Sequence, residues 1–79
     1  MEDQVFETLA ARCAYLWDVD VATVKPETTF EEHDTKSGDI SKMTTYLEDE
    51  YDVEVPYLGF KKNKTVGDAA AWVAGLLEE

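Results

Sequence analysis

The stretch Ser37–Pro56, SGDISKMTTYLEDEYDVEVP, decides the fold. Ile40, Met43, Leu47 and Tyr51 recur at spacings of three and four, which puts one apolar stripe along one face of an α-helix. Ser37 and Gly38 both suit a helix start. The face away from the stripe is acidic toward its end, with Glu48, Asp49, Glu50, Asp52 and Glu54. Val53 and Val55 alternate with acids, and Pro56 biases its predecessor toward extended geometry. The pattern predicts a helix over 37–51 that begins at or near a hydroxyl, shows acid to solvent and stops at a fixed corner.

Upstream, Val5, Phe6, Leu9, Cys13, Leu16 and Trp17 form a second helical stripe, predicting a first helix over 3–17. Glu2, Asp3 and Glu7 near its start suit the positive end of the helix dipole. Residues 18–30 read as a long loop, because Pro26 and the Thr28-Thr29 pair prevent a regular helix. Val19, Val21 and Val24 are expected to fold back onto the helices. Downstream, Tyr57, Leu58 and Phe60 predict a short third helix over 57–62, which Gly59 weakens. Val66, Ala69, Ala70, Val73, Leu76 and Leu77 stripe a last helix over 65–77. Thr65 is its expected N-cap, and Asp68 stands where a capping box places Glu. Val53–Val55 is too short to build a sheet. The expectation is an all-α bundle of three main helices plus one short helix, a single domain over residues 1–79.

Composition narrows the function classes. The 79 residues carry 18 acids against 7 lysines and arginines, a net charge of −11. That charge argues against nucleic acid, whose phosphates need basic side chains to displace counterions, and against anionic membranes. It suits basic partner surfaces and fast, salt-sensitive association, although acid on a small protein also serves solubility alone. No stretch is long and apolar enough for membrane insertion, and the start MEDQVFETLA is acidic where a signal peptide is basic. One cysteine excludes an internal disulfide. A cytoplasmic monomer is the expectation.

Other chemistries have weak support. Asp18-Val19-Asp20 suggests a calcium loop, but counting from Asp18 the sixth position is Thr23 where glycine is required, and the twelfth is Thr29 where a bidentate glutamate is required. His33 among Glu31, Glu32 and Asp34 has no second histidine, so it reads as a solvated loop residue and no metal site is expected. Cys13 reads as a small buried apolar residue. Trp17 and Trp72 read as packing residues, since a nucleobase platform would need basic neighbours. Lys61, Lys62 and Lys64 are too few for a nucleic-acid patch and read as local relief of repulsion.

YLEDEYDVEVP resembles the end of the second helix of acyl carrier proteins, and Thr65-Val66-Gly67-Asp68-Ala69 resembles the start of that family's last helix. The likeness covers nearly the whole chain. It implies an acyl-carrier-like bundle with a long first loop, plugged by an apolar residue such as Val24 and an aromatic such as Phe30. By the family's spacing, Ser37 falls at the site of the 4'-phosphopantetheine arm, which holds an acyl group as a thioester sheltered by the bundle. The resemblance implies a carrier and not an enzyme, serving fatty acid, lipid or polyketide metabolism. Its implied partners are a phosphopantetheinyl transferase and acyl-processing enzymes with basic docking patches. Glu48, Asp49 and Glu50 are the implied partner contacts, with Lys36 and Gly38 beside the arm site.

Three departures stand out. The family usually reads Asp-Ser-Leu where this chain reads Lys36-Ser37-Gly38, it has an acid at Lys42, and it commonly has leucine and glycine near His33 and Asp34. Read without the family, Ser37 is a helix N-cap worth ~1 kcal/mol over alanine. The second function to weigh is therefore a carrier-like acidic interaction module that has lost the arm. A hydrolase built on His33 and carboxylates has no residue set for its nucleophile.

Overall fold

The computed structural model describes residues 2–78. It contains four helices: α1 (Glu2–Trp17), α2 (Ser37–Tyr51), α3 (Tyr57–Lys61) and α4 (Val66–Leu77). The long first connection carries two 3₁₀ turns, Val21–Thr23 and Glu31–His33. Among the described residues the only β feature is an isolated bridge between Thr29 and Thr65.

Helix α1 packs against α4 and α2, and α3 joins α2 to α4. Three side-chain contacts fix α1 and α2 as antiparallel. The Tyr51 hydroxyl donates to Thr8 Oγ1 at 2.9 Å, Cys13 Sγ lies 3.9 Å from Met43 Sδ, and Trp17 Nε1 donates to Thr35 Oγ1 at 3.0 Å. The predicted stripes meet in one core: Val5, Leu9 and Cys13 with Met43, Leu47, Phe60, Val66 and Val73, all fully buried. Ala10 and Ala14 also turn inward, and these small residues let α1 approach its neighbours closely. Val21, expected to fold back onto the helices, does not join the core and is 49% exposed, and the apolar Leu58 of α3 is 69% exposed. Val21 sits in a 3₁₀ turn whose valine points outward, while α3 is too short to bury more than the Phe60 side.

The long connection is a strap. Val24, Thr28 and Phe30 are buried. Val66 N donates to Thr28 O at 2.9 Å, Phe30 N to Lys64 O at 3.1 Å and Gly67 N to Pro26 O at 2.9 Å, which ties the strap across the start of α4. Phe30 packs edge-on to Trp17 and tilted on Phe60, with ring centroids 6.1 and 5.8 Å apart. At the start of α4, Thr65 Oγ1 accepts from Asp68 N at 3.0 Å, the first half of the expected capping box.

Helix ends explain residues with no obvious role in the sequence. Asp18, Asp34 and Asp52 all take the left-handed conformation, with φ of 57°, 51° and 53°, a region that aspartate enters more readily than most residues. Asp52 closes α2 by donating its N–H to Glu48 O at 2.8 Å. Asp20 accepts from Ala22 N at 2.9 Å and caps the first 3₁₀ turn. The Asp-x-Asp pattern at 18–20 is thus a helix stop followed by a turn start.

Candidate functional site

The N-terminus of α2 is built from the preceding loop. Thr29 N donates to Glu32 Oε1 at 2.6 Å and Glu32 N donates to Thr29 Oγ1 at 3.1 Å, a reciprocal capping box around the second 3₁₀ turn. That Thr-x-x-Glu spacing was readable in the sequence. The turn ends at left-handed Asp34, and Thr35 N returns to Phe30 O at 3.1 Å. His33 is not a solvated loop residue: its ring stacks on Trp17, centroids 4.0 Å apart and planes 5° from parallel. Trp17 is in turn held by Thr35 and packed on Phe30. Ser37 therefore follows a loop pinned to the core on both sides.

Ser37 is not the cap of its helix. The cap is Lys36, extended at φ −90° and ψ 163°, and it makes no side-chain capping bond. Lys36 O instead accepts from Asp39 N at 3.0 Å and Ile40 N at 3.1 Å. Ser37 is the first helical residue, and it is exposed. Among the described residues neither its hydroxyl nor the N–H groups of Ser37 and Gly38 have a hydrogen-bond partner. A side chain at Gly38 would meet nothing within 4 Å. An open hydroxyl beside free N–H groups at the positive end of a 15-residue helix fits a phosphodiester. Lys36 Nζ lies 2.8 Å from Asp34 Oδ2, with both side chains largely exposed, so its charge is locally balanced.

Along α2, Lys42, Asp49 and Glu50 are exposed. Glu48 is half-buried, and its Oε2 accepts from Val55 N at 2.8 Å. That bond holds the extended segment before Pro56 against the helix. The structural duty of Glu48 had no signal in the sequence, because an acid seven residues before a valine matches no local motif.

The remaining reactive groups are not brought together. Among the described residues no cluster of His, Cys, Asp and Glu could hold a metal ion. Cys13 is buried against Met43, and burial pushes its thiol up to about 12, so it stays protonated at neutral pH and is no nucleophile. No helix among the described residues is long and apolar enough to cross a membrane.

No protein-family model matches the chain. It is 32% identical over 73 residues to the acyl carrier protein of Lactobacillus acidophilus, an alignment that covers 91% of each chain. It is 33% identical over 69 residues to the acyl carrier protein of Helicobacter hepaticus, covering 86% of this chain and 91% of that one.

Proposed function

The chain belongs to the acyl carrier protein family, and from that premise we propose that Ser37 carries a 4'-phosphopantetheine arm in a single carrier domain. One observation carries the reading. Ser37 presents an exposed, unbonded hydroxyl on the first residue of α2, at the end of a helix that no side chain caps. In the attachment step Ser37 Oγ bonds to the phosphorus of the pantetheine phosphate of coenzyme A. The bond from that phosphorus to adenosine 3',5'-bisphosphate breaks, and the serine proton is released. The N–H groups of Ser37 and Gly38 favour the anionic product. When bound, the arm supplies a thiol that holds an acyl group as a thioester.

The chain's own residues then present the arm. The loop pinned through Trp17, Thr35 and Phe30 holds its root still. Asp49 and Glu50, with the free oxygen of Glu48, offer the acid that a basic patch on a transferase or an acyl-processing enzyme would meet. Lys36, paired with Asp34, and Gly38 alter the edge of that face beside the arm.

Incubation with coenzyme A and a transferase should add one phosphopantetheine by intact mass, and Ser37→Ala should lose all of it while remaining helical by circular dichroism. Addition to the alanine variant would move the site, with Ser41 one turn further along α2 as the next hydroxyl. If the wild-type protein accepts no arm from any transferase and carries none when purified from its own host, the protein is an acidic interaction module on a carrier fold.

A further inference from the structure

An open groove of about 480 Å³ runs between α1 and α2, with Arg12 and Tyr15 on one side and Lys42, Thr45, Tyr46 and Asp49 on the other. Cations outnumber acids in it by two to one, on a chain whose 18 acids outnumber its 7 lysines and arginines. Arg12, the only arginine of the chain, is half-buried, and among the described residues it forms an ion pair with none of those acids. Its guanidinium lies 4.0 Å over the Tyr46 ring and 5.2 Å from the Tyr15 ring. Stacking uses a face of the guanidinium, whereas its N–H donors lie in the plane. The ring of Tyr46 therefore orients the fork of donors without consuming it. Tyr15 is 73% exposed, and neither tyrosine packs in or on the core, so an aromatic wall stands open to solvent.

We propose that this groove is a docking subsite for a partner protein that presents a carboxylate beside an aromatic side chain. The carboxylate accepts two parallel N–H bonds from Arg12, and exposed Lys42 adds a second cation at the rim. The partner's ring lies against the open ring of Tyr15. Asp49 stands seven residues beyond Lys42, about 10 Å along α2, and repels the incoming acid toward the Arg12 end. A free small molecule fits less well, because an open groove leaves much of it wet, whereas a partner surface brings its own rim to exclude water. The net charge of −11 does not forbid the approach. At physiological ionic strength the Debye length is ~8 Å, so the nearest charges, Arg12 and Lys42, outweigh acids elsewhere on the surface. The subsite goes beyond the carrier reading and holds with or without an arm at Ser37.

Capped dipeptides test the subsite by NMR on the chain without an arm, in salt of about 0.15 M. Acetyl-Asp-Phe-amide should give saturable shifts of the Arg12 Nε–H resonance, which is unique because the chain has one arginine, and of the Tyr15 and Tyr46 amides. Acetyl-Asn-Phe-amide, which lacks the charge, should bind about tenfold more weakly. Acetyl-Asp-Ala-amide, which lacks the ring, should bind roughly threefold more weakly. Arg12→Lys keeps the charge and loses the fork, and should weaken the Asp-Phe peptide about tenfold while the chain stays helical by circular dichroism. Tyr15→Ala, at an exposed position, should erase the preference for the ring. Absence of saturable shifts overturns the proposal, as do equal shifts from the Asp and Asn peptides, or wild-type binding by Arg12→Lys. Sodium acetate that reproduces the shifts at equal concentration would reduce the site to a counterion contact and overturn it too. Shifts at the groove that grow with protein concentration in the absence of peptide would assign it to a second copy and equally overturn the proposal.

Discussion

Glu48 shows how one side chain is drawn into two duties. Its position in the acidic run suggests a docking charge, yet its carboxylate closes the corner at Val55, whose N–H is otherwise buried without a partner. An unsatisfied buried N–H costs about 1–3 kcal/mol. Glu48→Ala should therefore lose stability of that order in urea, whereas Glu48→Gln, which keeps an acceptor oxygen, should stay close to wild type. Equal losses in the two variants would mean that charge and not the hydrogen bond matters at this position. The contrast also makes Glu48→Gln the better probe of docking, since it removes the charge and keeps the corner. Ser37 is the opposite case: among the described residues its hydroxyl has no hydrogen-bond partner, so no structural bond competes with the proposed attachment.

At the scale of elements, glycine and the helix ends carry the sharpest expectations. A methyl at Gly59 would collide with the indole of Trp72, which packs edge-on to Phe60 and cannot yield as a flexible chain end would. A methyl at Gly75 meets nothing within 4 Å. Gly59→Ala should destabilise by about 1–3 kcal/mol through overpacking, and Gly75→Ala should stabilise α4 by ~1 kcal/mol; thermal unfolding of the pair reads both signs. The start of α2 is similarly open to improvement. Lys36 occupies the cap position with extended backbone and no capping bond. Aspartate there would accept a free N–H, for a gain of about 0.5–2 kcal/mol. It would replace an exposed ion pair with Asp34 by a like-charge contact, a small cost at so exposed a position. Leucine at Gly38 adds helix propensity of ~1 kcal/mol in open space. The double variant Lys36→Asp, Gly38→Leu should thus be more stable. It should also take the arm faster from a general transferase, because a cation at the docking edge slows association with a basic surface. Unchanged attachment rates would mark Lys36 and Gly38 as neutral to that encounter.

For the whole molecule, charge is the dominant unbalanced force. Against a net charge of −11, a single ion pair forms among the described residues, and it is exposed. The acids of 48–54 repel one another at the end of α2, and salt shortens the reach of that repulsion to a Debye length of ~8 Å at physiological ionic strength. Stability at neutral pH should rise with sodium chloride; a gain of 1 kcal/mol would lift the midpoint by about 4–8 °C in a domain of this size. A midpoint flat from low to moderate salt would show that the acids are already far enough apart in the folded chain.

The sequence by itself determined the helices and the family. The stripes at Ile40, Met43, Leu47 and Tyr51, and at Val5, Leu9 and Cys13, are local periodicities, and a helix period written in apolar residues admits one buried face. The position of Ser37 at the start of α2 followed from the same pattern, and so did Thr65 as the cap of α4. Tertiary structure decided what those residues are free to do. Whether Ser37 caps its own helix depended on where the chain enters α2, and the entry is set by the Trp17, Thr35 and Phe30 contacts, which join residues far apart in the chain. The stacking of His33 on Trp17, the bond from Val55 to Glu48 and the Arg12, Tyr15 and Tyr46 cluster arise between elements, where no sequence period operates. Val21 and Leu58 make the same point in reverse: both are apolar, and both lie on elements too short to turn every apolar side chain inward.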